Sequence, residues 1–220
     1  MRFSIDALPP DVRSAFENDL FAIADTKFVL GNWYALCIMN GRSLPDFAAL
    51  TAMTGAAYGH TRSLWQYLVN FGHKYPEIER GRGPDAIRSM NLLDESPKGW
   101  PDFLAATWLA EQAMWMAVSG FLKSPDRVLA GLAEKIGEEI YFHLKYSQGW
   151  MEILAESKKD TRAFAAALES RKGSAWIDAK PDLSPKSVAA DGWIPAHRRC
   201  GALPGGLFEA IRFKDPEAAH

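Results

Sequence analysis

The stretch that decides the fold is residues 125–150, with the sequence PDRVLAGLAEKIGEEIYFHLKYSQGW. It begins with Pro125-Asp126 and then places apolar residues at the three- and four-residue intervals of one helix face. Proline loses no hydrogen bond at the first helical position, and an acidic residue in the first turn meets the positive end of the helix dipole. This combination predicts a long helix over about 125–157.

The same opening recurs in the preceding part of the chain. Three more Pro-Asp pairs begin long runs with helical spacing, at residues 10–11, 45–46 and 101–102. Ser43 and Ser124 stand where N-cap residues are expected. The pattern predicts further helices at about 10–39, 44–71 and 101–123, and a weaker one near 160–171.

A long connection separates the second and third predicted helices. Residues 72–100 are rich in glycine, proline and charge, with a short helix expected at 85–93. Four long helices with one long crossover between the second and third match the ferritin-like arrangement, in which helices one and two, and three and four, run antiparallel. We therefore predict an all-α, ferritin-like four-helix bundle.

The 220 residues are expected to form a single domain spanning 1–220. The core bundle is predicted at about 10–157. The segment after 172 is rich in proline and has little periodicity, so an extended C-terminal arm is expected over about 172–220.

Bulk composition narrows the function classes. The net charge of −2 carries no basic excess, which argues against nucleic acid or an anionic membrane as a partner. The longest apolar stretch, 103–122, is interrupted by Glu111, so no membrane span is expected. Two cysteines far apart in sequence and an early acid at Asp6 indicate a cytoplasmic protein.

Each predicted long helix carries a few ionisable side chains inside apolar sequence. A buried charge is costly unless it has a counter-charge, a metal or access to water. These residues are Asp25 and Lys27 in the first helix, His60 and Arg62 in the second, Glu111 in the third, and Glu138, Glu139, His143 and Lys145 in the fourth.

Such a distribution is typical of carboxylate-bridged di-metal sites, in which two helices each supply a carboxylate and two supply Glu-x-x-His. Carboxylate and imidazole ligands suit iron or manganese. Here the residues three before the histidines are Ala57 and Ile140, although Glu139 stands four before His143. Because Glu138 and Glu139 cannot both face the core, one is expected in solvent. The candidate ligand set is one carboxylate short: Asp25, His60, Glu111, Glu139 and His143.

Each candidate also has an interpretation without metal. Asp25 is compatible with a pair to Lys27 or with a partly hydrated face. His60 is compatible with a core histidine beside Arg62. Glu111 is compatible with a buried pair to an arginine or a histidine.

Three segments carry a family resemblance. The fourth predicted helix contains Glu139, His143 and then Ser147-Gln-Gly-Trp150; the second contains Gly59-His60-Thr61-Arg62, and the first contains Ala24-Asp25 followed by Phe28-Val29-Leu30. These segments resemble the A and C subunit family of the bacterial ring-1,2-phenylacetyl-CoA epoxidase, the fourth helix being most similar to the C subunit, and the likeness covers about residues 20–155.

The resemblance implies a ferritin-like fold and a role in oxidising an aromatic acyl-CoA. In that family the A subunit holds a di-iron centre and epoxidises the ring, whereas the C subunit has lost ligands and is a structural partner. By position, His60 and His143 would match the imidazole ligands, Glu111 the third-helix carboxylate, and Asp25 approximately the first-helix carboxylate. Ala57 and Ile140 depart from the metal-binding pattern and favour the C-like role.

Three functions follow as alternatives. The leading one is a C-like subunit with a degenerate metal site, assembled with itself or with a paralogous ferritin-like subunit. The second is a stand-alone di-iron or di-manganese monooxygenase or oxidase that uses the altered ligand set, with Glu138 as a further ligand. The third is a binding protein for an acyl-CoA or another hydrophobic small molecule, with a pocket lined by Trp108, Met114 and Trp115.

Overall fold

The computed structural model describes residues 3–41 and 43–171, and its regular elements are helices. The α-helices are α1 Pro10–Cys37, α2 Leu44–Leu68, α3 Tyr75–Arg80, α4 Trp100–Ser119, α5 Arg127–Ala155 and α6 Lys158–Arg171. The prediction of an all-α, ferritin-like bundle is confirmed. The predicted C-terminal arm at 172–220 lies outside the described residues.

The four long helices α1, α2, α4 and α5 form the bundle. In the α1–α2 pair the Thr61 hydroxyl donates to the Ala24 carbonyl, and the Tyr58 hydroxyl donates to Asn32. In the α4–α5 pair Trp100 packs on Trp150 near one end, and farther along α4 Glu111 contacts His143. Because the partner number falls as the residue number rises, both pairs are antiparallel, as the long crossover requires.

Helix α4 is buried on most of its surface because α1, α5 and α6 all pack against it. Its apolar side chains, including Leu104 and Met114, are fully buried. Helix α5 instead has one buried face and one solvent face, so Ile140 is buried whereas Phe142 is exposed. The apolar stretch that contains Glu111 is therefore the centre of the molecule and not a surface helix.

The helices begin near the predicted Pro-Asp pairs. The Ser43 hydroxyl accepts a hydrogen bond from the Asp46 amide and caps α2, as predicted. At α5 the cap is Asp126, whose carboxylate accepts from the Val128 amide, and Ser124 instead accepts from the Asp126 amide. The predicted starts were accurate to within two residues.

The crossover differs from its predicted form. A short helix α3 occupies 75–80, where none was predicted, and the expected helix at 85–93 is replaced by short 3-10 turns at Pro84–Ala86 and Asn91–Leu93. The physical reason is that α1 side chains take the backbone groups between those turns: the Arg88 amide donates to Asp25 and the Met90 amide to Thr26. A continuous helix would lose both contacts.

Among the described residues, no helix has the length and apolar character needed to cross a membrane.

We predict that Arg82→Ala destabilises the fold by about 3 kcal/mol, because it leaves the fully buried Asp25 carboxylate without its counter-charge. Both Arg82 terminal nitrogens donate to that carboxylate at 2.7 Å. The measurement is urea unfolding followed by circular dichroism. The control is Arg80→Ala, whose side chain is 84% exposed and should change stability by less than about 0.5 kcal/mol. Equal midpoints for the two variants would contradict the prediction.

Candidate functional site

Glu111 lies at the centre of a buried polar network. Its side chain is 1% exposed, and three side chains from two other helices contact its carboxylate. Lys27 of α1 forms an ion pair with Oε2, the Tyr34 hydroxyl of α1 donates to Oε1 at 2.8 Å, and Nδ1 of His143 on α5 lies 2.7 Å from Oε1. Both carboxylate oxygens are therefore occupied by protein groups.

Burial lowers the pKa of the Lys27 ammonium, and the adjacent Glu111 carboxylate opposes that shift by stabilising the positive charge. Burial alone would raise the pKa of Glu111, but the Lys27 charge and the His143 contact hold it well below its usual range, so Glu111 is ionised. Burial, reinforced by the Glu111 charge, raises the pKa of Tyr34 well above its usual value. Tyr34 therefore keeps its proton and serves as a hydrogen-bond donor, which leaves Glu111 as the acceptor of the network.

His60 and Glu139 form a separate pair beside the Glu111 network. Nε2 of His60 lies 2.6 Å from Oε2 of Glu139, although the carboxylate is out of line with the ring N–H for a hydrogen bond. Burial, followed by the Lys27 charge, lowers the pKa of His60 to about 2. The imidazole is therefore neutral. Glu139 is 31% exposed and also contacts Lys135, with 3.4 Å between Oε1 and Nζ.

Asp25, the fifth candidate, lies in a different network. Its oxygens accept hydrogen bonds from Arg82 at 2.7 Å and from the Trp65 indole at 3.1 Å, so it binds the crossover to α1. It pairs with Arg82 and not with Lys27, which was the pairing considered from sequence. The structure thus brings Glu111, His143, His60 and Glu139 to one region and places Asp25 outside it.

Sequence reasoning missed Lys27 and Tyr34 as members of the central network. Asp25 and Lys27 are two residues apart and so point to different sides of a helix. Lys27 and Tyr34 are seven residues apart, which returns to the same side after two turns. That spacing groups Lys27 with Tyr34, but Asp25 and Asn32 have the same spacing, so only the packing of α1 on α4 shows which pair faces Glu111.

As arranged, these side chains do not fit a di-metal centre. The Lys27 ammonium lies against the Glu111 oxygen where a cation would bind, and Nδ1 of His143 faces Glu111. Glu138 is exposed, so Glu139 alone of the two glutamates faces inward. Across residues 3–41 and 43–171, no group of three or more His, Cys, Asp or Glu side chains is placed to hold a metal ion.

A groove of about 620 Å³ lies between α2 and α5 and reaches His60, Glu139 and His143. Its α2 wall consists mostly of small residues. Met114, predicted to line a ligand pocket, is fully buried in the core, and Trp115 lines a different groove between α4 and α5. The groove beside the polar network is thus formed by other side chains than those predicted.

Comparison with known proteins identifies one family. The PaaA_PaaC family model, described as "Phenylacetic acid catabolic protein", matches residues 4–171. The matched range covers all six α-helices, the Glu111 network and the His60–Glu139 pair. The comparison with curated proteins returned no match.

We predict that the protein loses stability as the pH falls below about 6.5 because of His60. The folded pKa of His60 is depressed to about 2, so the unfolded chain binds a proton that the folded chain does not. The unfolding free energy should therefore fall by up to about 1.4 kcal/mol per pH unit between about pH 6 and pH 5. Urea unfolding at a series of pH values measures this slope.

The control is a histidine outside the buried network. His60→Gln should lower the slope between pH 6 and pH 5, whereas His73→Gln, at a 36% exposed position, should leave it in place. An unchanged slope in His60→Gln would contradict the assignment.

Proposed function

Because the chain belongs to the phenylacetic acid catabolic protein family, we propose that it is the structural, C-like ferritin-fold subunit of an aromatic acyl-CoA epoxidase system. Membership is carried by the match over residues 4–171 and by the helical bundle. The proposal goes further in assigning a role without a catalytic metal and with phenylacetyl-CoA as the substrate of the whole system.

The observation that carries the proposal is the ion pair between Lys27 and Glu111 at the bundle centre. An ammonium and a metal ion compete for the same carboxylate oxygen. At about 4 Å and an effective dielectric constant near 20, each unit charge on the metal would meet about 4 kcal/mol of repulsion from Lys27. A divalent ion would meet about twice that, so the ammonium disfavours metal strongly.

The network is suited to a structural role. Lys27 and Tyr34 from α1, Glu111 from α4 and His143 from α5 join three helices through one buried acceptor. Buried ionic groups of this kind add directional contacts that specify how helices pack. In this role Lys27 supplies internally the positive charge that a metal ion would supply in a metal-binding relative.

The rival function is a di-iron or di-manganese oxygenase that works with an altered ligand set. It would require Lys27 to leave Glu111 and the His60–Glu139 pair to open toward the centre. Neither change is supported by the fully buried position of Lys27. The ligands in that function would be Glu111 and His143 with His60 and Glu139. Metal content therefore separates the two functions.

The test is metal analysis of protein produced with added iron and treated with a mild chelator. We expect substoichiometric iron and manganese in the wild type, because Lys27 occupies the anionic site. Stoichiometric iron that survives the chelator would overturn the proposal and favour the oxygenase. Lys27→Gln is the matched variant, since it keeps a polar chain of similar length without the charge and should retain more metal than the wild type.

A second experiment tests whether the chain binds a larger, iron-containing subunit. The tagged full chain should copurify, from cells that grow on phenylacetate, with a larger ferritin-like subunit that carries iron. A chain that turns over dioxygen with a phenylacetyl thioester when no such subunit is present would contradict the structural role.

A further inference from the structure

The outer face of α5 carries exposed apolar side chains along its length, two of them an adjacent aromatic pair. Tyr141 is 56% and Phe142 68% exposed, and Val128 near the start and Ile153 near the end are 64% and 51% exposed. The Tyr141 and Phe142 rings pack edge to face with their centroids 5.5 Å apart. We call this face the α5 ridge. Exposed apolar groups gathered on one face mark an interaction surface.

A groove runs along each side of the α5 ridge. The groove between α2 and α5 has a volume of about 620 Å³, and the one between α4 and α5 about 1040 Å³; Phe142 lines both. Gly59 lines the first groove and Gly131 the second, and a Cβ atom at either position would project into open space. The ridge thus offers a protruding aromatic pair next to two concavities.

Two of the charged side chains on the ridge are complementary to the same ridge in reverse orientation. Glu138 precedes the aromatic pair and Lys145 follows it, each by three residues, and both are exposed. Within the chain Lys145 lies over the Tyr141 ring, with Nζ 5.6 Å from its centroid. A two-fold axis between Tyr141 and Phe142 would set Glu138 of one copy beside Lys145 of the other, twice.

This self-complementarity indicates that the partner bound at the ridge is a second copy of the chain. A two-fold interface presents the same patch from both partners, so a residue and its counterpart exchange places across the axis. The ridge satisfies this condition in charge, through Glu138 and Lys145, and in shape, through the aromatic pair and the grooves beside it. A parallel pairing in register would instead oppose Glu138 to Glu138.

We propose that the chain forms a two-fold dimer in which the α5 ridges of two copies pack antiparallel. Phe142 of each copy enters a groove beside the other copy's α5, and two Glu138–Lys145 ion pairs close the interface on either side of the axis. The dimer does not depend on the metal content of the bundle, so it stands or falls separately from the proposed function.

The experiment is a charge swap on the full chain, read by sedimentation velocity and light scattering over a concentration series. We expect a wild-type dimer. Glu138→Lys and Lys145→Glu should each raise the dimer dissociation constant about tenfold or more, because each places like charges across the axis twice. The double variant should return it to within a few-fold of the wild type.

The control is Glu77→Lys, which makes the same charge change at a 67% exposed position on α3 and should leave the dimer intact. Far-ultraviolet circular dichroism identifies any variant that fails to fold. A monomeric wild type, single variants as tight as the wild type, or a double variant as weak as the singles would each overturn the proposal. Association only with a paralogous ferritin-like subunit would assign the ridge to that partner and overturn it as well.

Discussion

The bundle is organised around one buried ion pair, between Lys27 of α1 and Glu111 of α4. Neither charge is stable in the core alone, since an unpaired buried ion costs several kcal/mol. Together with Tyr34 and His143 they satisfy each other, and the resulting network fixes how α1, α4 and α5 face one another. The same pair determines the chemistry of the centre, because a carboxylate that holds an ammonium is a poor ligand for a metal.

The second constraint is the attachment of the crossover to α1. Asp25 accepts hydrogen bonds from Arg82 and from the Arg88 amide, and the Arg82 guanidinium lies between the rings of Phe21 and Trp65, 5.1 and 5.2 Å from their centroids. This attachment holds the connection, with its short helix and 3-10 turns, against α1, and the connection joins α2 to a parallel α4. Two buried acidic residues thus have separate roles. Asp25 holds the crossover against α1, and Glu111 joins the helices at the centre of the bundle.

The helices and their order could be predicted because their causes are local. Proline and aspartate at the helix starts act through the first turn, and apolar spacing acts within a single helix. The family was also recognisable from short segments of α1, α2 and α5. The two 3-10 turns in place of a helix at 85–93 could not be predicted, because the backbone there is held by side chains more than sixty residues away, such as Asp25 with the Arg88 amide.

The candidate site, like the fold, could be predicted from the sequence only in part. The sequence by itself determined that Glu111, His60 and His143 are ionisable or imidazole groups inside apolar helices, so that each requires a partner. Only the tertiary structure decided the partners: Lys27 and His143 for Glu111, Glu139 for His60, and Arg82 for Asp25. The physical reason is that the cost of burying a charge is set by the residue itself, whereas the compensating contact depends on the relative rotation and height of separate helices, which packing alone fixes.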